Sequence, residues 1–214
     1  MNDLSLEYVV REPLATSEKK PLILLIHGYG SNMDDLFSFA TELPLKALVV
    51  SVQAPTALPF GGYAWYNITF DADENKFSDP VEGKESVQKL NVFIDEIIEK
   101  YNIDTTKIFM TGFSQGAILS YAYSFTFPNK INYIIALSGY FNVDFLVNEP
   151  KNNKSEYFIS HGNVDQVIPV QWARKAPELL DVLKINNSYQ EYPVGHGVHP
   201  TNFYDFKNWI NKRL

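Results

Sequence analysis

The sequence predicts an α/β fold, in which a mostly parallel β-sheet carries helices on both faces. Short β-rich runs alternate with longer stretches of helical periodicity along the chain, as is typical of repeated βαβ units. Several of the short runs are continuously apolar, as expected for strands that are buried on both sides. Because we find no compositional break, internal repeat or low-complexity linker, residues 1–214 are expected to form a single domain without a large cap.

Seven segments are predicted as strands. The first alternates partly between apolar and polar residues and is expected at an edge of the sheet, whereas the later segments are mostly uniform apolar runs. They are Leu4–Arg11, Leu22–His27, Ala47–Val52, Ile108–Gly112, Tyr133–Leu137, Tyr157–Ser160 and Tyr189–Tyr192.

Helices are predicted in the gaps between these strands, where apolar residues recur every three or four positions. One spans about Glu82 to Lys100, and a second, small and apolar, covers Gln115–Phe125. A third contains Leu179, Leu180 and Leu183, and a fourth runs from Pro200 toward the C-terminus. Pro177 falls within the third pattern, so that helix either kinks there or begins there with proline in its first turn.

The segment of residues 55–81 fits no regular element. It contains proline, a Gly61-Gly62 pair, six large aromatic side chains and several acidic residues. Irregular segments of this length are usually functional or disordered, and the aromatic side chains favour a function. We therefore predict that this segment is an active-site loop.

Composition excludes several classes of protein. Hydrophobic residues make up 45% of the chain, which is sufficient for a substantial core. The net charge of −7 argues against nucleic acid or an anionic membrane as the main partner. The absence of cysteine excludes disulfides, a thiol nucleophile and thiolate metal sites. Since the N-terminus shows no signal pattern and the strongest apolar run, Leu22–Ile26, is short, we expect a cytoplasmic protein without stable membrane insertion.

A candidate nucleophile lies between a predicted strand and a predicted helix. Gly112-Phe113-Ser114-Gln115-Gly116 matches the pattern G-x-S-x-G, which places a serine on a tight strand-to-helix turn. The alternative is that Ser114 only caps the following helix, but capping does not require glycines on both sides. We therefore predict that Ser114 is a catalytic nucleophile.

Such a serine needs a base to accept its proton, and in α/β-hydrolases an acid and then a histidine follow the serine along the chain. His196, between two glycines, is favoured over His199, which opens a helix whose dipole would disfavour an imidazolium. Asp165 follows the sixth predicted strand. It is favoured as the acid over Asp144, after the preceding strand, and over Asp181, within a helical pattern.

An oxyanion hole requires backbone N–H groups that point toward the developing negative charge. The residue after the nucleophile, Gln115, supplies the first predicted donor. The second is assigned to the N–H of Tyr29 in His27-Gly28-Tyr29-Gly30, because glycines let the backbone approach a ligand closely. The alternative for this segment is a plain strand-to-helix turn.

At these motifs the chain resembles the phospholipase/carboxylesterase family of α/β-hydrolases, which includes acyl-protein thioesterases and small bacterial carboxylesterases. The similarity extends along nearly the whole chain, and the match around the predicted acid is the most specific. The matching segments are Leu25–Gly30, Gly112–Gly116, His161–Pro169 and Gly195–Gly197.

The resemblance implies hydrolysis of esters or thioesters with short to medium acyl groups, with no metal and no organic cofactor. It also implies that the segment of residues 61–66 lies over the active site, with Trp65 at the family's tryptophan position. Tyr63 stands where the family often has arginine, and Ala117 where it often has glycine, so the departures concern substrate preference. Phe60, Tyr63, Trp65 and Ile168 are predicted to line the acyl pocket, in which case Trp65→Ala should change the preferred chain length.

Two other functions remain open at this point. A thioesterase or lysophospholipase for long acyl chains would need a long apolar groove. A non-catalytic module of the same fold could bind a small ester, although it would not need serine, aspartate and histidine together. The expected partner is a small-molecule ester or thioester, and the sequence does not determine the oligomeric state.

Overall fold

The structure is a computed structural model that describes residues 4–14, 18–70, 76–146 and 153–214. Its strands and helices follow one another in the alternating order that the sequence predicts. The strands are β1 (Tyr8–Arg11), β2 (Lys20–Ile26), β3 (Leu48–Val52), β4 (Thr56–Ala57), β5 (Tyr63–Ala64), β6 (Ile68–Phe70), β7 (Lys76–Ser78), β8 (Ile103–Phe113), β9 (Tyr133–Leu137), β10 (Glu156–Gly162) and β11 (Asn187–Tyr192). The helices are α1 (Met33–Phe37), α2 (Pro80–Tyr101), α3 (Gln115–Thr126), α4 (Val170–Ala173), α5 (Lys175–Val182) and α6 (Pro200–Asn211).

Seven strands form the central sheet, in the spatial order β1-β3-β2-β8-β9-β10-β11. β1 pairs antiparallel with β3 at the edge, and the other neighbouring pairs are parallel. This confirms the predicted α/β class with a mostly parallel sheet. Because the parallel strands share one direction, the loops after β2, β8, β10 and β11 meet at one edge of the sheet, where ligand sites of such folds lie.

Helices cover both faces of the sheet. The first core contains the buried side chains of α2, α3 and α5 against one face, and the second contains those of α1 and α6 against the other. α3 is buried along its whole length, which explains its small, apolar sequence. In the described part of the chain, no helix is both long and apolar enough to cross a membrane.

Capping residues account for the places where the helices differ from their predicted bounds. Asp79 accepts hydrogen bonds from the N–H groups of Val81 and Glu82, so α2 begins before Glu82, with Pro80 in its first turn. Pro177 lies in the first turn of α5. The helix therefore begins with the turn that contains this proline. α1 and α4 contain only five and four residues, too few for a periodic pattern to show.

The segment of residues 55–81 contains short antiparallel pairs. β4 pairs with β5, and β6 pairs with β7. Residues 71–75 of the predicted active-site loop lie outside the described residues. The described part of this segment runs over the carboxyl edge of the sheet, because Tyr63 pairs with Ser31 after β2.

Candidate active site

Ser114 lies at the sharp turn between β8 and α3. Its φ of 53° and ψ of −115° fall in a region that is strained for a side-chain-bearing residue. Glycines make the turn possible: a Cβ on Gly112 would lie 2.3 Å from the carbonyl oxygen of Gly116, and a Cβ on Gly116 would lie 2.1 Å from that of Ile26. The side chain of Ser114 makes no capping hydrogen bond to α3, so the hydroxyl is directed elsewhere.

The structure brings Ser114, His196 and Asp165 together. The Oγ of Ser114 lies 2.8 Å from Nε2 of His196, and Nδ1 of His196 lies 2.7 Å from Oδ2 of Asp165. Because an ionised carboxylate only accepts hydrogen bonds, Nδ1 carries the imidazole proton. Nε2 is then free to accept the proton of the serine hydroxyl, as a general base must.

Asp165 is buried and held by the loop that follows β10. Its Oδ1 accepts hydrogen bonds from the N–H groups of Val167 and Ile168 at 2.8 and 3.0 Å. Burial by itself raises the pKa of the Asp165 carboxyl, but the hydrogen bonds from His196, Ile168 and Val167 outweigh burial and lower that pKa overall. The carboxylate is therefore ionised at neutral pH and can orient the imidazole of His196.

The competing residues from the sequence are engaged elsewhere. His199 caps α6, where its Nδ1 accepts a hydrogen bond from the N–H of Thr201 at 3.2 Å. Asp144 is exposed on a single turn of 3₁₀-helix. Asp181 is exposed and accepts a hydrogen bond from Nδ2 of Asn187 at 2.8 Å. The three side chains therefore lie outside the hydrogen-bonded set of Ser114, His196 and Asp165.

The two predicted oxyanion donors lie beside the nucleophile. Tyr29 and Gln115 line the same cavity as Ser114. Among the described residues, neither backbone N–H has a hydrogen-bond acceptor, so both are available to a ligand. Gly28 lets the loop that carries Tyr29 lie close to the nucleophile, since a Cβ at that position would lie 3.3 Å from Cβ of Ser114.

Hydrogen bonds that the sequence did not reveal fix the loop that carries Tyr29. Nε1 of Trp65 donates to the carbonyl oxygen of His27 at 3.0 Å. Nε2 of His27 accepts from the N–H of Ala54 at 3.0 Å, so Nδ1 carries the proton and donates to the carbonyl oxygen of Gly28 at 2.8 Å. That oxygen and the N–H of Tyr29 belong to one trans peptide and point in opposite directions. The bond from His27 therefore also sets the direction of the proposed oxyanion donor.

The side chain of Gln115 connects the nucleophile turn to the segment of residues 55–81. Its Oε1 accepts a hydrogen bond from the N–H of Trp65 at 2.8 Å, and its Nε2 donates to the carbonyl oxygen of Tyr66 at 2.8 Å. The position after the nucleophile was predicted for its N–H alone. Its amide could not be assigned from sequence, because the partners lie about fifty residues away.

A cavity of about 260 Å³ opens beside the triad. Aliphatic side chains form much of its wall, and hydroxyl-bearing side chains form another part. The aliphatic residues are Ile68, Ile118, Val167 and Ile168, and the residues with hydroxyl groups, apart from Ser114, are Tyr29, Tyr66, Ser78 and Tyr140.

Of the four residues predicted for the acyl pocket, the structure places Ile168 in the wall of this cavity. Trp65 is only 1% exposed and packs beneath the oxyanion loop. Phe60 is 73% exposed, with its ring 6.3 Å from that of Tyr29. Tyr63 is half-buried and pairs through its backbone with Ser31. The sequence does not show whether an aromatic residue in a loop faces a cavity, the core or the solvent.

A second depression, of about 340 Å³, adjoins the cavity. It shares Ser78 and Tyr140 with the cavity, so these two side chains stand between the two spaces. The ring of Tyr140 packs edge-on against Trp172, with 5.2 Å between the ring centroids. Tyr140 is therefore the side chain whose size separates the two spaces.

Comparisons with known proteins show the family to which the chain belongs. A family model described as Phospholipase/Carboxylesterase matches residues 9–214. Acyl-protein thioesterase 1 of Kluyveromyces lactis is 36% identical over 192 residues, which cover 80% of this chain and 81% of that protein. Acyl-protein thioesterase 1 of Yarrowia lipolytica is 28% identical over 208 residues, which cover 90% of this chain and 91% of that protein.

Solved structures show the same fold. The crystal structure of esterase PE8 superposes with a TM-score of 0.87 at 22% identity, over 98% of this chain and 99% of that one. The Bacillus cereus carboxylesterase gives a TM-score of 0.83 at 22% identity, over 100% of this chain and 96% of that one. The predicted fold and enzyme class, a serine hydrolase of carboxylic esters, are confirmed, and the chain belongs to the phospholipase/carboxylesterase family of α/β-hydrolases.

Proposed function

We propose that the protein hydrolyses esters with short to medium acyl groups through an acyl-enzyme intermediate on Ser114. The observation that carries this proposal is the continuous set of hydrogen bonds from Ser114 through His196 to Asp165, beside which lies a small, mainly apolar cavity. The absence of cysteines fits a reducing compartment, and we propose that the enzyme acts in the cytoplasm on a small-molecule ester or thioester.

In the proposed mechanism, Oγ of Ser114 attacks the carbonyl carbon while Nε2 of His196 accepts the hydroxyl proton. The N–H groups of Tyr29 and Gln115 donate hydrogen bonds to the oxyanion that forms. His196 then gives its proton to the departing alcohol or thiol, and the acyl group stays on Ser114. Water, deprotonated by His196, attacks the acyl-enzyme, and His196 returns that proton to Oγ of Ser114 as the acid is released. Asp165 remains ionised throughout and stabilises the imidazolium.

The size of the cavity supports the proposed acyl preference. Pockets for drug-sized ligands usually measure about 300–1,000 Å³, and this cavity measures about 260 Å³. Ser78 hydrogen-bonds to both Tyr66 and Tyr140, so the hydroxyl groups on this side of the wall already have partners. The volume of the cavity therefore favours an acyl group of a few carbon atoms.

Long-chain thioester hydrolysis is the second candidate. Relatives of this chain are named acyl-protein thioesterases, and the depression beyond Tyr140 could accept the end of a longer chain if that side chain moved. The ratio of activity toward butyrate and palmitate esters separates this candidate from the first.

The test is hydrolysis of p-nitrophenyl esters from acetate to palmitate by the wild type, by Ser114→Ala and by a control, Ser188→Ala. Ser188 is a half-buried serine on β11 that donates to the carbonyl oxygen of Tyr157. We expect a short-chain optimum, a fall of roughly 10⁴-fold or more in Ser114→Ala and wild-type activity in the control. A wild type that neither hydrolyses any ester nor reacts with a fluorophosphonate would instead be a binding module.

A further inference from the structure

His161 is a buried titratable residue that the mechanism above does not use. It lies near the end of β10, four residues before Asp165, and its side chain has no exposure to solvent. Its Nε2 lies 2.8 Å from the carbonyl oxygen of Ile168 and 3.2 Å from Oδ2 of Asp165. A second histidine therefore contacts the same carboxylate oxygen as His196.

The partners of His161 determine its protonation state. The Ile168 carbonyl oxygen only accepts hydrogen bonds, so Nε2 carries a proton and donates to it; the Asp165 carboxylate lies close to the same N–H but outside its direct line. Nδ1 is buried without a hydrogen-bond partner among the described residues, and a proton there would be an unsatisfied donor. Burial lowers the pKa of His161 and outweighs the opposing effects of Ile168 and Asp165. His161 is thus a neutral donor and does not form an ion pair with Asp165.

The hydrogen bond from His161 fixes the end of the loop that carries Asp165. Oδ1 of Asp165 is held by the N–H groups of Val167 and Ile168, and the carbonyl oxygen of the same Ile168 accepts from Nε2 of His161. His196 changes its partner at Nε2 when it passes its proton to the leaving group, but His161 takes no part in that transfer. The acid loop therefore keeps a fixed hydrogen bond to β10 while His196 reacts.

We propose that His161 is a positioning residue, which ties β10 to the end of the acid loop through the Ile168 carbonyl and thereby holds in place the N–H groups that orient the Asp165 carboxylate. The inference rests on the proposed function, because a fixed carboxylate matters only if Asp165 orients a catalytic imidazole. Ile168 links both effects, since its N–H donates to Asp165, its carbonyl accepts from His161 and its side chain lines the cavity.

Two amide substitutions provide a matched test. The amide nitrogen of glutamine in His161→Gln is as many bonds from Cα as Nε2 of histidine, so it can donate to the Ile168 carbonyl oxygen. The shorter asparagine in His161→Asn reaches only the position of Nδ1. His161→Phe keeps the ring but has no donor. We expect kcat to stay within about 3-fold of the wild type in His161→Gln and to fall about 10-fold or more in the other two. KM should change little, because Asp165 does not touch the substrate.

Ester hydrolysis, the rate of labelling by a fluorophosphonate and thermal unfolding are measured for each variant. Low kcat and slow labelling in His161→Asn and His161→Phe, with recovery in His161→Gln, would establish the positioning role. If the three variants share the same kcat, the inference is overturned. The proposed function still stands in that case, provided that the wild type is active and Ser114→Ala is not.

A measurement on the wild type keeps the inference testable if the variants do not fold. ¹⁵N NMR of the histidine side chains distinguishes the two neutral tautomers and the cation. We expect His161 to be the neutral Nε2–H tautomer across the pH range of activity. A cationic or Nδ1–H His161 would overturn the inference, because neither is a neutral side chain whose one proton lies on the nitrogen that faces Ile168.

Discussion

Replacement of Asp165 by asparagine should inactivate the enzyme through the tautomer of His196. The side chain keeps its size, and its amide oxygen can still accept the N–H groups of Val167 and Ile168, which bond Oδ1 in the wild type. The NH₂ group then occupies the place of Oδ2, 2.7 Å from Nδ1 of His196. Because an amide NH₂ only donates, Nδ1 must become the acceptor, and the imidazole proton moves to Nε2.

An N–H at Nε2 cannot accept the proton of Ser114, whose Oγ lies 2.8 Å away. In a well-studied serine protease the same change lowers kcat by about 10⁴-fold, which corresponds to about 5.4 kcal/mol at 1.36 kcal/mol per tenfold. We expect a loss of the same order here, because the serine, the histidine and the aspartate are linked in the same order as in that protease.

The assay is hydrolysis of p-nitrophenyl butyrate by Asp165→Asn and by a matched control, Asp144→Asn. Asp144 is the exposed aspartate that competed with Asp165 in the sequence. We expect the control to retain wild-type kcat/KM and the folded state of both variants to be preserved by circular dichroism. Retention of a tenth or more of the activity in Asp165→Asn, or a comparable loss in Asp144→Asn, would refute the assignment of the acid.

Three further predictions concern the walls and the charge of the site. Trp65→Phe removes the donor to the His27 carbonyl and should cost about 1–3 kcal/mol, or roughly 2–4 °C in Tm per kcal/mol. It should leave the ranking of acyl esters unchanged, and a new ranking would place Trp65 in the pocket. Tyr140→Ala should join the cavity to its neighbour and raise palmitate activity relative to butyrate; an unchanged ratio would contradict this. The lowered pKa of Asp165 stabilises the fold above its unfolded pKa of about 3.9, and this contribution is lost as pH falls through the folded pKa. The Tm difference between wild type and Asp165→Asn should therefore narrow below about pH 4. A Tm difference that stays constant with pH in scanning fluorimetry would contradict this prediction.

Periodicity located the central strands and the long helices but not the shortest elements. α2 has several turns on which an apolar face can repeat, and Tyr133–Leu137 is found with the predicted bounds. α1 and α4 are one turn each, so they depend on local capping and packing. The predicted strand at Ile108–Gly112 is longer in the structure, from Ile103 to Phe113, because Ile103 pairs with Lys20 across an irregularity in the pairing of β2 and β8.

The sequence by itself determined the α/β class, the family resemblance and the candidates Ser114, Asp165 and His196. It could do so because the glycines that flank a nucleophile are close to it in sequence. The acid and the base also follow the nucleophile in a fixed order along the chain. It also marked Tyr29 and Gln115 as donors, because their N–H groups belong to recognisable turns.

Only the tertiary structure decided what surrounds these residues. Trp65 and Phe60 look alike in sequence as aromatic loop residues, yet one is 1% exposed and the other 73%. His161 precedes a glycine just as His27 does, but one contacts a carboxylate and the other the peptide of the oxyanion loop. Burial and hydrogen-bond partners depend on residues tens of positions apart, and these are brought together only when the sheet and its helices pack.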